Sequence, residues 1–115
     1  MLLVTSISGG KWILPKGNVD PGNTPAQAAE IEAREEAGVA GSIGSTPVAV
    51  YDYKKGSTQL WVQVFPLRVE QVLEQWPESE LRRRRWTSLD EAMRLVDHPR
   101  IRSALERFAE YLLQE

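Results

Sequence analysis

The sequence predicts an α+β domain in which a mixed β-sheet has helices packed on it. The order of the elements supports this class, because a hairpin, a helix, further strands and two more helices follow one another. A length of 115 residues fits one domain. A composition with 42% hydrophobic and 26% charged residues excludes a disordered or low-complexity chain.

A β-hairpin is predicted at the start of the chain. Residues 2–7 are expected to form its first strand and residues 12–14 its second. The turn is expected over residues 8–11, because its Gly-Gly pair accepts the positive φ of a tight hairpin. Residues 15–23 contain two glycines and two prolines and are expected to form a loop.

A helix is predicted from Pro25 to Ala37. Thr24 is the expected N-cap and Gln27 completes a capping box, while Pro25 suits the first helical position. The alanine-rich stretch has high helix propensity. Gly38 is expected to end the helix, because glycine accepts the left-handed conformation of a C-cap.

Two strands are predicted in the middle of the chain, over residues 47–53 and 57–69, with residues 41–45 as a loop before them. Apolar residues occupy both faces of the second strand, which indicates a sheet that is partly covered on both sides. Residues 71–76 are expected to form a short helix that ends before Pro77.

The last part of the chain predicts a strand and two helices. Residues 81–86 are the expected strand, and Ser88 with Glu91 forms a second capping box that begins a helix to about Val96. Pro99 begins the last helix, whose apolar positions follow helical spacing and are expected to face the core. These positions are Ile101, Ala104, Leu105, Phe108 and Leu112.

Composition also excludes several classes of protein. The chain has no cysteine, which excludes a disulfide framework and a thiolate metal site. Apolar runs such as residues 12–14 are too short for a transmembrane helix, and no signal peptide is evident. The net charge of −2 gives no general attraction to nucleic acid. A cytoplasmic protein without membrane or nucleic-acid partners is therefore expected.

Three glutamates of the predicted helix form a candidate metal site. Glu32, Glu35 and Glu36 have i, i+3 and i+4 spacing and are therefore neighbours on one helix surface. Their like charges repel one another, and a hard divalent cation with oxygen ligands would remove that penalty. Spacing alone leaves a second interpretation, a solvated acidic face of the helix.

A longer pattern around these glutamates resembles the signature of the Nudix hydrolases, and it spans Gly17 to Val39. Six signature positions match without a gap: Gly17, Glu32, Glu35, Glu36, Gly38 and Val39. Residues 12–17, 84–86 and 88–92 also resemble the family. The resemblance implies one Nudix domain over residues 1–115, with a mixed sheet between helices in an α/β/α sandwich. It also implies hydrolysis of a nucleoside diphosphate linked to another group, or of a related pyrophosphate.

The resemblance also assigns roles to residues. Glu32 and Glu36 would be the main ligands of Mg²⁺ or Mn²⁺, and Glu35 would be a further ligand or the base that activates water. The carbonyl of Gly17 would complete the coordination, and Lys16 would lie near the phosphates. These glutamates would form the catalytic set, in which the metal polarises a phosphoryl oxygen and lowers the pKa of bound water.

Within the family, the chain looks like small bacterial members similar to diphosphoinositol polyphosphate and dinucleoside polyphosphate hydrolases. A phosphorylated small molecule of these types, or of the ADP-ribose type, is the implied substrate. Arg84, Arg85 and Lys54 are the candidate contacts to its negative charges. Because a strand alternates faces, at most two arginines of the Arg82–Arg85 run point to one side.

Three positions depart from the signature. Asn23 and Ile31 replace a glutamate and an arginine that look like salt-bridge partners in the family, and Ala33 replaces a bulky apolar residue. Losing one partner of a buried pair is costly, whereas replacing both is nearly neutral, so we interpret the change as compensated. One alternative is a Nudix-fold module that binds a nucleotide or polyphosphate without cleaving it. Another is an unrelated α+β interaction domain.

The start of the chain is short for a Nudix domain, since the family usually carries another strand before the one that begins at Leu2. The absence of that strand predicts an open sheet edge, which invites pairing. We therefore expect either a homodimer that covers the edge or a natural start further upstream.

Overall fold

A computed structural model describes residues 1–114 and has three helices and seven strands in this part of the chain. The elements are, in order, β1 (Leu2–Thr5), β2 (Trp12–Ile13), α1 (Pro25–Ala37), β3 (Val39–Ile43), β4 (Ala49–Lys55), β5 (Thr58–Val64), β6 (Leu67–Val72), β7 (Arg84–Trp86), α2 (Leu89–Leu95) and α3 (Pro99–Leu113). The α+β class is therefore as predicted.

The strands pair in three antiparallel groups, which are β2-β1-β7, β3-β6 and β4-β5. The predicted N-terminal hairpin is confirmed, since β1 pairs with β2 and Gly10 in the turn has a φ of 62°. Strand β1 is not itself the edge of its sheet, because β7 pairs with its other side and leaves β2 and β7 as the outer strands of this group. The homodimer stays a prediction.

Strand β1 divides the core into two parts, because consecutive residues of a strand point to opposite faces. Leu3 is fully buried against α2 and α3, where Val96 and Leu105 pack on it. Val4 is fully buried on the other face, where it packs against Ala37 of α1. Helices thus cover both faces of this strand, as the sandwich architecture requires.

Helix α1 has the predicted bounds, and its caps explain them. The Thr24 side chain accepts a hydrogen bond from the backbone of Gln27, and the Gln27 side chain accepts one from the Thr24 backbone. Both directions of the capping box are therefore present. Gly38 ends the helix in the left-handed conformation, with a φ of 66°.

The prediction that residues 41–45 form a loop is wrong for residues 41–43, because β3 extends to Ile43 and pairs with β6, whereas residues 44 and 45 lie outside the strands. Gly41 belongs to β3. It lies at a shift of register in this pair, and a Cβ there would overlap the carbonyl of Arg68. The glycine thus permits a close approach of two strands rather than a loop.

The strand predicted over 57–69 and the helix predicted over 71–76 are also corrected. Phe65 and Pro66 separate β5 from β6, and the Pro66 carbonyl accepts a hydrogen bond from the Gly44 N–H (2.9 Å). Gln71 and Val72 belong to β6, where they pair with residues of β3 distant in sequence. A non-local partner therefore overrides the local pattern.

The last two helices begin where predicted. Ser88 caps α2, but the capping box is only half formed, because the Glu91 carboxylate binds Arg85 instead (2.6 Å). Ile101, Ala104 and Leu105 of α3 are buried as expected and Phe108 is half-buried. Leu112 is 47% exposed, so its predicted core position is wrong.

Within residues 1–114, no helix combines the length and the apolar character needed to cross a membrane.

Replacing Leu3 by Ala is expected to lower the free energy of unfolding by about 2–5 kcal/mol, because it removes a fully buried side chain and leaves a cavity. Leu113→Ala is the matched control, since Leu113 is 86% exposed and its replacement should cost less than about 0.5 kcal/mol. Urea denaturation measures both values. Equal losses in the two variants would contradict this division of the core.

Candidate metal and substrate site

The candidate site is built around Glu36, in the last turn of α1. This residue is 2% exposed, which is unusual for a glutamate. Two groups contact its carboxylate: the Nη2 of Arg82 lies 3.4 Å from Oε1, and the backbone N–H of Lys16 donates to the same oxygen at 3.4 Å. Both contacts are long, so the buried negative charge is only weakly compensated.

Glu32 lies one turn earlier and places a second carboxylate beside the first. Its carboxylate lies so close to Gly17 that a Cβ at this position would overlap it. Only glycine leaves room for the Glu32 side chain here. The loop that contains Lys16 and Gly17 thus contacts both glutamates. The Lys16 N–H donates to Glu36, and the Glu32 carboxylate packs against Gly17.

The electrostatics of this pair favour a bound cation. Burial and the neighbouring Glu32 carboxyl together raise the pKa of the Glu36 carboxyl to about 8, although Arg82 and the Lys16 N–H lower it in part. Two adjacent carboxylates with one weakly compensated charge fit a divalent cation with oxygen ligands. The missing side chain at Gly17 supports the same conclusion, because it lets the Glu32 carboxylate lie directly against the backbone of the loop.

Glu35 does not join this pair. Its side chain is half-exposed, and its backbone carbonyl accepts a hydrogen bond from the Glu78 N–H at 3.1 Å. Over residues 1–114, no three His, Cys, Asp or Glu side chains form a group that could hold a metal ion. The structure therefore brings together Glu32 and Glu36 of the predicted three ligands.

The end of α1 is held by a segment distant in sequence, residues 76–84. The last carbonyls of a helix have no partner within it. Here the Glu35 carbonyl accepts from Glu78, the Glu36 carbonyl from the Trp76 indole (3.0 Å) and the Ala37 carbonyl from Arg84 (3.0 Å). The 76–84 segment therefore fixes where the helix end, and with it Glu36, lies.

The four arginines alternate between two sides, although the strand predicted over residues 81–86 is shorter in the structure and β7 begins at Arg84. Arg82 and Arg84 point towards α1, and Arg84 also stacks on the Trp76 ring at 4.0 Å. Arg83 lies over the Trp12 ring at 5.5 Å, and Arg85 binds Glu91. The contacts of Arg84 and Arg85 assign them to packing and a surface ion pair rather than to a substrate cleft.

A cavity of about 630 Å³ opens beside the glutamate pair and is large enough for a small-molecule ligand. Lys16, Gly17 and Glu32 line it, and its walls are mainly apolar and aromatic. The Lys16 ammonium lies 3.8 Å from the centre of the Tyr53 ring, which also lines the cavity. The predicted position of Lys16 at the site is thus consistent with the structure.

Lys54 and Lys55 differ in their relation to the cavity. Both are exposed, but Lys55 lines the cavity, whereas the side chain of the predicted contact Lys54 alternates to the face opposite Tyr53. Lys55 therefore replaces Lys54 as the candidate contact on this strand.

The sequence did not single out Arg82, Trp76 and Tyr53 from the other arginines and aromatic residues as parts of the site. Alternation in the arginine run could have paired Arg82 with Arg84, because both occupy the same face. Trp76 and Tyr53 carry no local signal, since their partners lie far away in sequence. His98, in contrast, caps α3 through its Nδ1, as expected for a residue before Pro99.

Ile31 and Asn23, which replace the salt-bridge partners of the signature, leave no charge at either position. Ile31 is 41% exposed on α1, and Asn23 is half-buried in the preceding loop, where its backbone N–H donates to Asp20 (3.1 Å). Neither leaves a buried charge unpaired. This agrees with our interpretation that the double replacement is compensated.

Comparison with known proteins identifies the family of this chain. A family model described as a NUDIX domain matches residues 1–108. Nudix hydrolase 21 of Arabidopsis thaliana, a chloroplastic protein by name, is 40% identical over 94% of this chain and 56% of its own length. Diphosphoinositol polyphosphate phosphohydrolase 2 of Rattus norvegicus is 32% identical over 84% of this chain and 53% of its own length.

Solved structures agree with the predicted fold class. A binary complex of the C. elegans Ap4A hydrolase has a TM-score of 0.73 and 26% identity, and the match covers 99% of this chain and 86% of that one. The E. coli ORF135 protein has a TM-score of 0.77 and 22% identity, with 99% and 82% covered. The second likeness supports the fold alone.

The pKa of Glu36 predicts a pH-dependent stability of the metal-free protein. The folded state holds this proton up to about pH 8, whereas the unfolded chain releases it near the ordinary value of 4.5. Because the folded state binds more protons between these values, the free energy of unfolding should fall as pH rises through that window.

Urea denaturation in EDTA across that pH window measures this effect. Glu36→Gln should remove the decline, whereas Glu30→Gln, at an exposed position of the same helix, should keep it. Parallel pH profiles for the wild type and Glu36→Gln would contradict the raised pKa.

Proposed function

Because this chain belongs to the Nudix family, we propose that it is a metal-dependent pyrophosphohydrolase, which uses Mg²⁺ or Mn²⁺. The substrate would be a nucleoside diphosphate linked to another group, or a related polyphosphate. One observation carries this proposal: the carboxylates of Glu32 and Glu36 lie together beside Gly17, at the edge of a cavity of ligand size.

The residues of the site would have separate roles in metal binding, proton transfer and phosphate binding. Glu32 and Glu36 would hold the cation, with the Gly17 carbonyl as a further oxygen ligand. When bound, the cation would neutralise phosphate charge and lower the pKa of an attacking water. Glu35 is half-exposed and does not join Glu32 and Glu36, so it is the candidate acceptor of the proton from that water. Lys16 would place positive charge beside the phosphates.

A polyphosphate attached to a base or ring is the substrate type that the cavity supports best. Cationic Lys16 and Lys55 line it, and so do aromatic side chains that can stack on a base. These aromatic residues are Tyr51, Tyr53, Trp61, Phe65, Trp86 and Phe108. The names of two similar proteins, an Ap4A hydrolase and a diphosphoinositol polyphosphate phosphohydrolase, support dinucleoside polyphosphates and diphosphoinositol polyphosphates as first candidates. ADP-ribose remains a candidate substrate.

The chain spans between 53% and 62% of the length of its most similar curated relatives. A cytoplasmic location, a homodimer, and the lack of nucleic-acid or membrane partners stay predictions. Several similar Arabidopsis proteins carry mitochondrial or chloroplastic in their names.

A second candidate function is a Nudix-fold module that binds a nucleotide or polyphosphate without cleaving it. One observation favours it: over residues 1–114 the three signature glutamates do not form a single metal-binding group. Turnover separates the two functions, since both would bind a ligand in the same cavity.

The first test is hydrolysis of diadenosine polyphosphates, diphosphoinositol polyphosphates, ADP-ribose and nucleoside triphosphates, each with Mg²⁺, Mn²⁺ or EDTA. We expect metal-dependent release of phosphate or nucleotide from at least one of them. Glu36→Gln and Glu32→Gln should lower kcat by about 100-fold or more, because each removes a charged ligand. Glu30→Gln should retain wild-type turnover, since Glu30 is exposed and lies outside the pair.

Ligand binding without turnover of any compound would instead favour the binding module. Turnover that persists in EDTA and in both glutamate variants would exclude this site as the catalytic one.

Gly17→Ala tests the packing of the loop against Glu32. The added Cβ would overlap the Glu32 carboxylate and displace it, so the metal concentration for half-maximal activity should rise by about tenfold or more. Gly9→Ala is the control, because a Cβ at Gly9 meets its nearest atom at 3.5 Å and the turn has room for it. Identical metal dependence in the two variants would show that Gly17 does not shape the site.

A further inference from the structure

The guanidinium of Arg82 is held by three different elements of the fold. Its Nε lies 2.7 Å from Oε1 of Glu78, its Nη1 donates to the backbone carbonyl of Thr5 at 3.0 Å, and its Nη2 lies 3.4 Å from Oε1 of Glu36. The side chain is only 12% exposed. Each nitrogen of the fork therefore has its own acceptor.

These three contacts differ in strength, and the difference indicates a role. The two short contacts, to Glu78 and to β1, anchor the guanidinium on groups outside the site. The long contact then presents Nη2 to Glu36 from a direction that the anchors fix. An arginine fork can do this because its donors lie in one rigid plane.

The arrangement also distinguishes the two oxygens of Glu36. Arg82 and the Lys16 N–H both contact Oε1, and within residues 1–114 neither of these donors holds Oε2. The remaining neighbour of the carboxyl group is the Glu32 side chain, the other expected ligand of the cation. A ligand carboxylate of a metal is commonly oriented in this way by a neighbouring donor, whose loss weakens binding.

Arg82 is distant from Glu36 in the sequence. The helix position next to Glu32 holds Ile31, which cannot donate, whereas Arg82 reaches Glu36 across 46 positions. The 76–84 segment delivers it, because backbone bonds from Leu81 and Arg82 to the Glu78 carbonyl form a turn there (3.0 and 3.1 Å).

We propose that Arg82 is a positioning residue, which holds Oε1 of Glu36 so that Oε2 is directed to a divalent cation. The inference rests on the proposed metal site and deepens it. It assigns to the 76–84 segment a role in metal affinity, in addition to its role in holding the end of α1.

The test measures the Mn²⁺ dissociation constant by electron paramagnetic resonance in the wild type, Arg82→Met, Arg82→Lys and Arg83→Met. Thermal unfolding in EDTA identifies the temperature at which each variant is folded. We expect both Arg82 variants to bind Mn²⁺ about tenfold or more weakly in the folded state. Lysine keeps the charge but cannot form three bonds in one plane. Arg83→Met should bind like the wild type, because Arg83 is exposed and faces Trp12.

Two results would overturn the inference. Unchanged or tighter Mn²⁺ binding by Arg82→Met would show that Arg82 only repels the cation or stabilises the fold. Wild-type affinity in Arg82→Lys would show that charge alone matters. If Arg82→Met does not fold, Arg82→Lys decides the question.

The wild type and Glu36→Gln separate this inference from the proposed function. A wild type that binds no Mn²⁺ would overturn the metal site itself and the role of Arg82 with it. Binding that is lost in Glu36→Gln but retained in the Arg82 variants would overturn only the role of Arg82.

Discussion

The unpartnered carbonyls at the end of α1 are the constraint on which the site depends. A helix leaves its last carbonyl groups without internal partners, and burying them unpaired is costly. Gly38 turns the chain and its N–H satisfies the Arg34 carbonyl (3.0 Å), while the 76–84 segment satisfies the next three. Because these bonds fix the helix end, they also fix Glu36, whose backbone and side chain are both held by this segment.

Close packing at Gly38 shows how tightly these parts fit. A Cβ there would lie 2.8 Å from the Trp76 ring and 2.7 Å from an Arg84 nitrogen, in addition to the strain of a positive φ. Glycine is thus required for two independent reasons, conformation and space. Arg84 completes the packing by donating to carbonyls while it stacks on Trp76. Arg84, which the sequence suggested as a substrate contact, therefore belongs to the cap of α1.

The end of α1 is well held by hydrogen bonds, but it carries two adjacent carboxylates, Glu32 and Glu36, that destabilise the fold. Burial of Glu36 beside Glu32 costs free energy in the absence of a counter-ion, and that cost appears as the raised pKa of Glu36. A cation that binds only the folded state would recover this free energy and stabilise the protein. The loop at Gly17 and the cavity lie beside the same carboxylates, so a ligand in the cavity would meet them. In the proposed function, activity and stability would therefore be linked through Glu36.

Local signals in the sequence determined α1, its caps, the N-terminal hairpin and the candidate glutamates. Capping and helical spacing depend on residues within four positions of one another, so a single sequence contains them in full. Only the tertiary structure decided that Gly41 lies in a strand, that Glu35 stands apart from the pair, and that Arg82 rather than Arg84 meets Glu36. These outcomes depend on partners between 27 and 46 positions away, at contacts that packing creates and periodicity does not encode.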